Sequence, residues 1–129
     1  MFDKALASEV LRQILASVET IITRCDSIIT VNDFIDSPAG VERLDSICMQ
    51  LIVIGESLKN FDKITDTAVL CHYPEVDWRK VKGLRDIISH HYADINADAI
   101  FETCKNKIPE LKQVLERILN DPLLKQEKR

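Results

Sequence analysis

The chain has 129 residues, 46% of them hydrophobic and 29% charged, and its formal net charge is −4. These values suit one folded domain with a single core and exclude a disordered tail. The negative charge argues against a protein that coats nucleic acid through bulk electrostatics. Three glycines and four prolines are too few for the turns of an all-β fold, so an all-α domain over residues 1–129, with an ordered core at about 3–120, is predicted.

Apolar residues that recur at three- and four-residue steps predict amphipathic helices joined by short links. In chain order, the predicted segments are about Asp3–Ile29, a helical turn at 31–36, Pro38–Asn60, a short helix Ile64–Cys71, Trp78–Tyr92 and 97–120, with a loop at 93–96. Such helices favour an up-and-down bundle of four or five helices.

Local signals mark where several of these helices begin or bend. Ser37, followed by a proline, is a predicted N-cap, and Asp77 and Asn96 are predicted to cap later helices. Gly55 lies inside a helix, where it is unfavourable relative to Ala, so it predicts a close approach by a neighbouring helix. Pro109 predicts a kink or two abutting helices in the last segment.

The cysteines stand apart in the sequence, and none forms a C-x-x-C pair. They are Cys25, Cys48, Cys71 and Cys104. Isolated cysteines of this kind are predicted to be buried core residues in a reducing, cytoplasmic compartment. No stretch of about 18 apolar residues is present, so no membrane association is expected. The three histidines lack an H-x-x-x-H spacing, so neither a metal nor another cofactor is predicted.

Residues 79–92 carry four cations against one carboxylate, Asp86. A basic island on an acidic chain indicates a focused anion site, although a solvated helix face is the commoner explanation of such a pattern. Arg79 and Lys82 are the predicted phosphate contacts in this island. Trp78 is expected to be a packing anchor.

A helical wheel at about 100° per residue separates residues 78–92 into faces. The predicted core face holds Val81, Leu84, Ile87, Ile88 and His91. The predicted exposed face holds Arg79, Lys82, Asp86, Ser89 and His90, with Trp78, Arg85 and Tyr92 along one flank. Asp86 and His90 are four residues apart, where a carboxylate can orient an imidazole. Arg85 and His90 diverge by about 140°, so they reach one target only if the helix loosens or a second chain contributes.

Arg85 and His90 suit phosphodiester chemistry. An arginine supplies a permanent forked cation for phosphate oxygens, and a histidine exchanges protons near neutral pH. Together they could promote attack of an RNA 2′-hydroxyl on its own phosphorus without a metal. From spacing alone, however, a purely structural role for these two residues is favoured.

The segment GLRDIISHHY, residues 83–92, resembles the HEPN superfamily, and more closely the HepT-like toxins that pair with minimal nucleotidyltransferase antitoxins. Their signature R-x-x-x-x-H-x-Y is matched by Arg85, His90 and Tyr92, and Asp86 stands where many relatives have Asn. The likeness extends over roughly residues 4–120. It includes Ile54-Gly55-Glu56, Val76-Asp77-Trp78 and Ile108-Pro109-Glu110-Leu111.

The resemblance implies a helical bundle, a homodimer with facing motifs, and metal-independent cleavage of RNA in a type VII-like toxin–antitoxin pair. It implies that Arg85 binds the scissile phosphate and His90 acts as general acid or base. Asp86 and Ser89 would support the site and Tyr92 would line it. Tyr92 is also the implied position at which the nucleotidyltransferase attaches AMP.

Two other interpretations stay open. The chain is alternatively a noncatalytic helical dimer that serves as the binding subunit of a nucleotidyltransferase. In a third interpretation Tyr92 is the functional residue, as an acceptor of AMP, and His90 is incidental.

Overall fold

The computed structural model describes residues 2–91 and 96–125, without the side chains at positions 87, 89, 90 and 91. Every regular element in these two ranges is helical. The α-helices are α1 (Lys4–Cys25), α2 (Asn32–Ile35), α3 (Pro38–Ile64), α4 (Trp78–Lys82), α5 (Leu84–His91), α6 (Ala97–Glu102) and α7 (Ile108–Leu119). Helix α1 packs on α3 and α7, and α3 also packs on α2, α4 and α5. The predicted all-α bundle is confirmed.

Helix α1 begins where Asp3 accepts a hydrogen bond from the Leu6 amide at 3.0 Å, which satisfies one of the free N–H groups of the first turn. The helix ends at Cys25, four residues before the predicted end at Ile29. The chain leaves the helix because the Asp33 carboxylate accepts the amides of Ile29 and Thr30, which gives the backbone an alternative to another helical turn.

Helix α3 has the predicted start and a later end. The Ser37 hydroxyl accepts the Gly40 amide at 3.0 Å, so the predicted cap is confirmed. The helix runs to Ile64 rather than Asn60. The predicted helix Ile64–Cys71 is wrong: residues 65–69 form turns and Leu70–His72 is a short 3₁₀ helix. Asp66 and Thr67 have positive φ there, which no helix of L-residues allows.

The last segment is divided, as Pro109 predicted. Asn96 accepts the amides of residues 98 and 99 and begins α6. A π-helical segment, Thr103–Lys107, then joins α6 to α7. Pro109 lies in the first turn of α7, the part of an α-helix where a proline is tolerated. The predicted interruption is therefore confirmed, as a π-helical turn before the proline.

The core is formed by the inner faces of α1, α3 and α7, with contributions from the segments between them. Its fully buried members include Phe34, Phe61, Leu11, Ile14, Ile47, Leu51, Ile54, Leu58, Leu115 and Ile118. Cys25, Cys48 and Cys104 are buried as predicted, but Cys71 is exposed. The prediction for Cys71 is wrong because it lies on the short 3₁₀ turn rather than on a packed helix. No helix in the described ranges is long and apolar enough to cross a membrane.

Candidate functional site

The predicted helix 78–92 is two helices in the structure. Asp77 caps α4 by accepting the Lys80 amide at 3.2 Å, as predicted. Helix α4 ends at Gly83, whose amide bonds to the carbonyls of both Arg79 and Lys80. This shared bond tightens the last turn, and a separate helix, α5, follows from Leu84. A single helical wheel therefore does not describe the whole segment.

Trp78 at the start of α4 is partly buried against the hydrophobic core, which confirms its predicted packing role. Its indole Nε1 donates to the Tyr73 carbonyl at 2.8 Å. The Tyr73 hydroxyl in turn donates to the Asp121 carboxylate at 2.6 Å, just after α7. Burial, together with this hydrogen bond, raises the pKa of Tyr73 to about 12. The tyrosine therefore stays a neutral donor over the physiological pH range.

Gly55 brings α3 and the α4–α5 junction into contact. A Cβ atom at this position would lie 2.8 Å from the Val81 carbonyl oxygen and 3.6 Å from the Leu84 Cβ. The first distance is shorter than van der Waals contact allows, so only glycine lets the two backbones approach this closely. The close approach predicted from Gly55 is confirmed. It also brings the next residue, Glu56, beside α5.

Arg85 lies on the outer side of α5, next to α3. Its side chain is 58% exposed, and its Nη1 is 3.7 Å from Oε1 of Glu56. The neighbouring Asp86 is also exposed. The guanidinium is thus held near a carboxylate without being buried, so an anionic ligand can reach it.

Lys82 is not on the exposed face to which the helical wheel assigned it. Its Nζ lies 2.6 Å from Oδ2 of Asp62, and the two side chains are only 26% and 16% exposed. The wheel fails at this position because α4 ends at Gly83 and turns Lys82 toward α3. The ammonium group is therefore occupied by a partner within the protein.

The structure describes the remaining predicted site residues to different extents. Arg79 is exposed on α4, as predicted. The backbone of α5 continues through Ser89 and His90, but the side chains of these two residues lie outside the described part of the structure. Tyr92 lies outside the described residues altogether. The predicted pairing of Asp86 with His90 therefore stays a prediction.

Two carboxylates beside the motif were not predicted as site residues. Glu56 was predicted only as part of the family resemblance at Ile54-Gly55-Glu56, and no role was predicted for Asp62. Both lie on α3 and face cations of α4 or α5. For Asp62 a usable signal was Gly55, seven residues earlier, because residues two turns apart lie on the same face of a helix.

The family described as "Ribonuclease HepT-like" matches residues 18–118 of the chain. The match covers α3, α4 and α5, and hence every described residue of the site. No solved structure matches the chain.

Curated relatives agree with this family match. A protein of Caldanaerobacter subterraneus subsp. tengcongensis named "Putative RNase TTE0752" is 31% identical over 109 residues, which cover 84% of this chain and 90% of the relative. "Putative RNase MJ0127" of Methanocaldococcus jannaschii is 34% identical over 59% of this chain and 60% of its own length. "Probable ribonuclease HepT" of Thermococcus cleftensis is 32% identical over 57% of this chain and 63% of its own length.

Proposed function

The chain belongs to the HepT-like ribonuclease family, and from this membership we propose that it is a metal-independent endoribonuclease of a toxin–antitoxin pair. The observation that carries the proposal is the exposed guanidinium of Arg85. It lies at the start of the R-x-x-x-x-H-x-Y segment and within the region that the family covers. An exposed, permanent cation at this position is what a phosphodiester substrate requires.

The proposed reaction is a transesterification within the RNA strand. The 2′-oxygen attacks the adjacent phosphorus, a new P–O2′ bond forms and the P–O5′ bond breaks. The products are a 2′,3′-cyclic phosphate and a 5′-hydroxyl. His90 transfers the proton as general base or acid, Arg85 stabilises the charge on the phosphate oxygens, and Asp86 orients the imidazole. Ser89 and Tyr92 line the site, and Arg79 contacts a neighbouring phosphate.

A homodimer completes the proposed site. Arg85 and His90 are separated by about 140° on a regular helix, so a single chain is not expected to direct both groups at one phosphate. A second chain related by symmetry would supply the missing group. Three partly exposed apolar residues of α3 support this arrangement, and we call them the α3 outer face (Val41, Met49 and Val53).

The α3 outer face leaves apolar side chains partly exposed to solvent. Val41, Met49 and Val53 are 42%, 59% and 39% exposed. These three residues fall within about 120° of one another around a regular helix, and Glu56 lies one turn beyond Val53 on the same helix. Because Glu56 contacts Arg85, a partner docked on this face would lie directly beside the guanidinium.

A nucleotidyltransferase is the proposed antitoxin. It would transfer AMP from ATP to the Tyr92 hydroxyl with release of pyrophosphate, and the added bulk and negative charge would exclude RNA from the site. Mass spectrometry of the co-expressed chain tests this step, and unmodified Tyr92 in a neutralised complex contradicts it.

The RNase activity is tested with purified protein and RNA in the presence of EDTA. Wild type is expected to leave cyclic-phosphate ends. Arg85→Ala and His90→Ala should each lower the cleavage rate by at least about 100-fold, the usual scale for a lost acid–base or charge-stabilising group.

Lys112→Ala is the matched control for these variants, because it removes an exposed cation that pairs with Glu19 between α7 and α1. It is expected to cleave like wild type. Unchanged cleavage by folded His90→Ala contradicts its assigned role. Absence of cleavage by wild type, with retained binding to a nucleotidyltransferase, identifies the noncatalytic dimer instead.

A further inference from the structure

One carboxylate oxygen of Glu56 faces two cations. Its Oε1 is 3.4 Å from the ammonium of Lys59 and 3.7 Å from Nη1 of Arg85. Both cations therefore lie within ion-pair distance of a single anionic oxygen. Such an arrangement resembles a phosphate oxygen held between two positively charged groups.

The backbone of the bundle fixes this arrangement. Lys59 follows Glu56 by three residues on α3, so the two side chains lie on the same helix face. Arg85 comes from α5, which the contact at Gly55 holds against α3. The two cations thus converge from two packed helices rather than from one mobile loop.

A ligand can replace the Glu56 carboxylate oxygen that contacts the two cations. Lys59, Glu56 and Arg85 are 42%, 41% and 58% exposed, so a strand in solvent can reach all three side chains. Exposed ion pairs of this length contribute little stability. Glu56 can therefore swing away at little cost when a stronger anion arrives.

We propose that Lys59 and Arg85 form a phosphate clamp for the RNA backbone, whose position the Glu56 carboxylate fills in the free protein. Lys59 is thus a further substrate-binding residue and Glu56 an occupant that the substrate displaces. The clamp rests on the proposed RNase function, since RNA is its ligand. Lys82 takes no part in it, because Asp62 holds that ammonium at 2.6 Å in a mostly buried pair.

Binding of a fluorescent 2′-O-methyl RNA, which lacks the attacking hydroxyl, tests the clamp without cleavage. Fluorescence anisotropy is expected to show that Lys59→Ala raises Kd about two- to fivefold, the scale of one exposed ionic contact. For Lys59→Ala, the slope of log Kd against log salt concentration should fall by about 0.7, the value for one lost phosphate contact on a single strand. Lys59→Arg should retain binding, and Glu56→Gln should lower Kd.

The exposed pair Lys112–Glu19, at 3.9 Å between α7 and α1, supplies matched controls. Lys112→Ala and Glu19→Gln change the net charge by the same amounts and should leave Kd within about twofold of wild type, because weak surface pairs away from the strand matter little. Equal Kd values for Lys59→Ala and Lys112→Ala overturn the clamp.

The sign of the Glu56→Gln effect separates the clamp from a positioning role. A higher Kd for Glu56→Gln means that the carboxylate orients Arg85, and it overturns the proposal that the substrate displaces it. Failure of wild type to bind the 2′-O-methyl RNA also overturns the clamp. If binding follows the expected pattern but ordinary RNA is not cleaved, the clamp stands and the proposed RNase function fails.

Discussion

Lys82 and Arg85 are three residues apart, yet their carboxylate partners leave them in different environments. The Lys82–Asp62 pair measures 2.6 Å and is mostly buried, whereas the Arg85–Glu56 pair measures 3.7 Å and is open to solvent. An ion pair shielded from water interacts more strongly than an exposed one. Lys82 therefore stabilises the packing of α4 on α3, and Arg85 remains available to a ligand.

Lys82→Met should lower the free energy of unfolding by about 1–3 kcal/mol, because Asp62 would remain partly buried without its charged partner. Urea denaturation measures the change. Lys80→Met is the matched control, because Lys80 is exposed and precedes Val81 on the same short helix. It should change the free energy of unfolding by less than about 0.5 kcal/mol. Equal stability of the two variants would show that the Lys82 pair is energetically neutral.

The contact between α3 and the α4–α5 junction depends on the absence of one side chain. A Cβ at Gly55 would press on the Val81 carbonyl at 2.8 Å, and backbone atoms cannot rotate away as a side chain can. Glycine is unfavourable inside α3 by about 1 kcal/mol relative to Ala. The close packing of α5 on α3 that this glycine allows offsets the local cost. The same packing places Arg85 beside Glu56.

Gly55→Ala should lower stability despite its better helix propensity, because overpacking costs about 1–3 kcal/mol against a gain of about 1 kcal/mol. Thermal unfolding measures the balance. The displaced α5 should also weaken RNA binding by the folded variant.

Gly83→Ala is the control for this substitution. A Cβ added at Gly83 would lie 3.3 Å from the Arg79 carbonyl oxygen, compared with 2.8 Å for the contact at Gly55. Gly83 also has a φ of −83°, which any residue adopts. We expect it to be close to wild type in both measurements. A Gly55→Ala protein that is more stable than wild type and binds RNA normally would contradict the close-approach argument.

At the scale of the molecule, the chain buries its apolar residues in one core and leaves several uncovered on the α3 outer face. Scattered apolar residues are common on surfaces, but a group on one helix beside a functional residue is typical of an interface. The proposed homodimer would cover this face and bring two Arg85 side chains close together.

Met49→Glu should dissociate the proposed dimer, because it places a charge at the most exposed apolar position of this face. Light scattering coupled to size-exclusion chromatography measures the mass in solution. Leu6→Glu, at an apolar position of α1 that is 47% exposed, is the matched control and should remain dimeric. A wild type that is monomeric at all concentrations, or a dimeric Met49→Glu protein, would rule out this interface.

The sequence by itself determined the helical fold and where most of the helices begin. Apolar periodicity predicted α1, α3 and the last segment, and the caps at Ser37, Asp77 and Asn96 were correct because a cap depends only on neighbouring residues. The sequence also identified the segment around Arg85 through its family resemblance. These features are local, so they can be read along the chain.

The tertiary structure decided which charges are paired. Nothing local indicates that Lys82 meets Asp62 or that Glu56 meets Arg85, since those contacts join different helices. The exposure of Cys71 likewise depended on how the chain continues after α3. Electrostatic environment depends on distances between residues far apart in sequence, and only the packed helices set those distances.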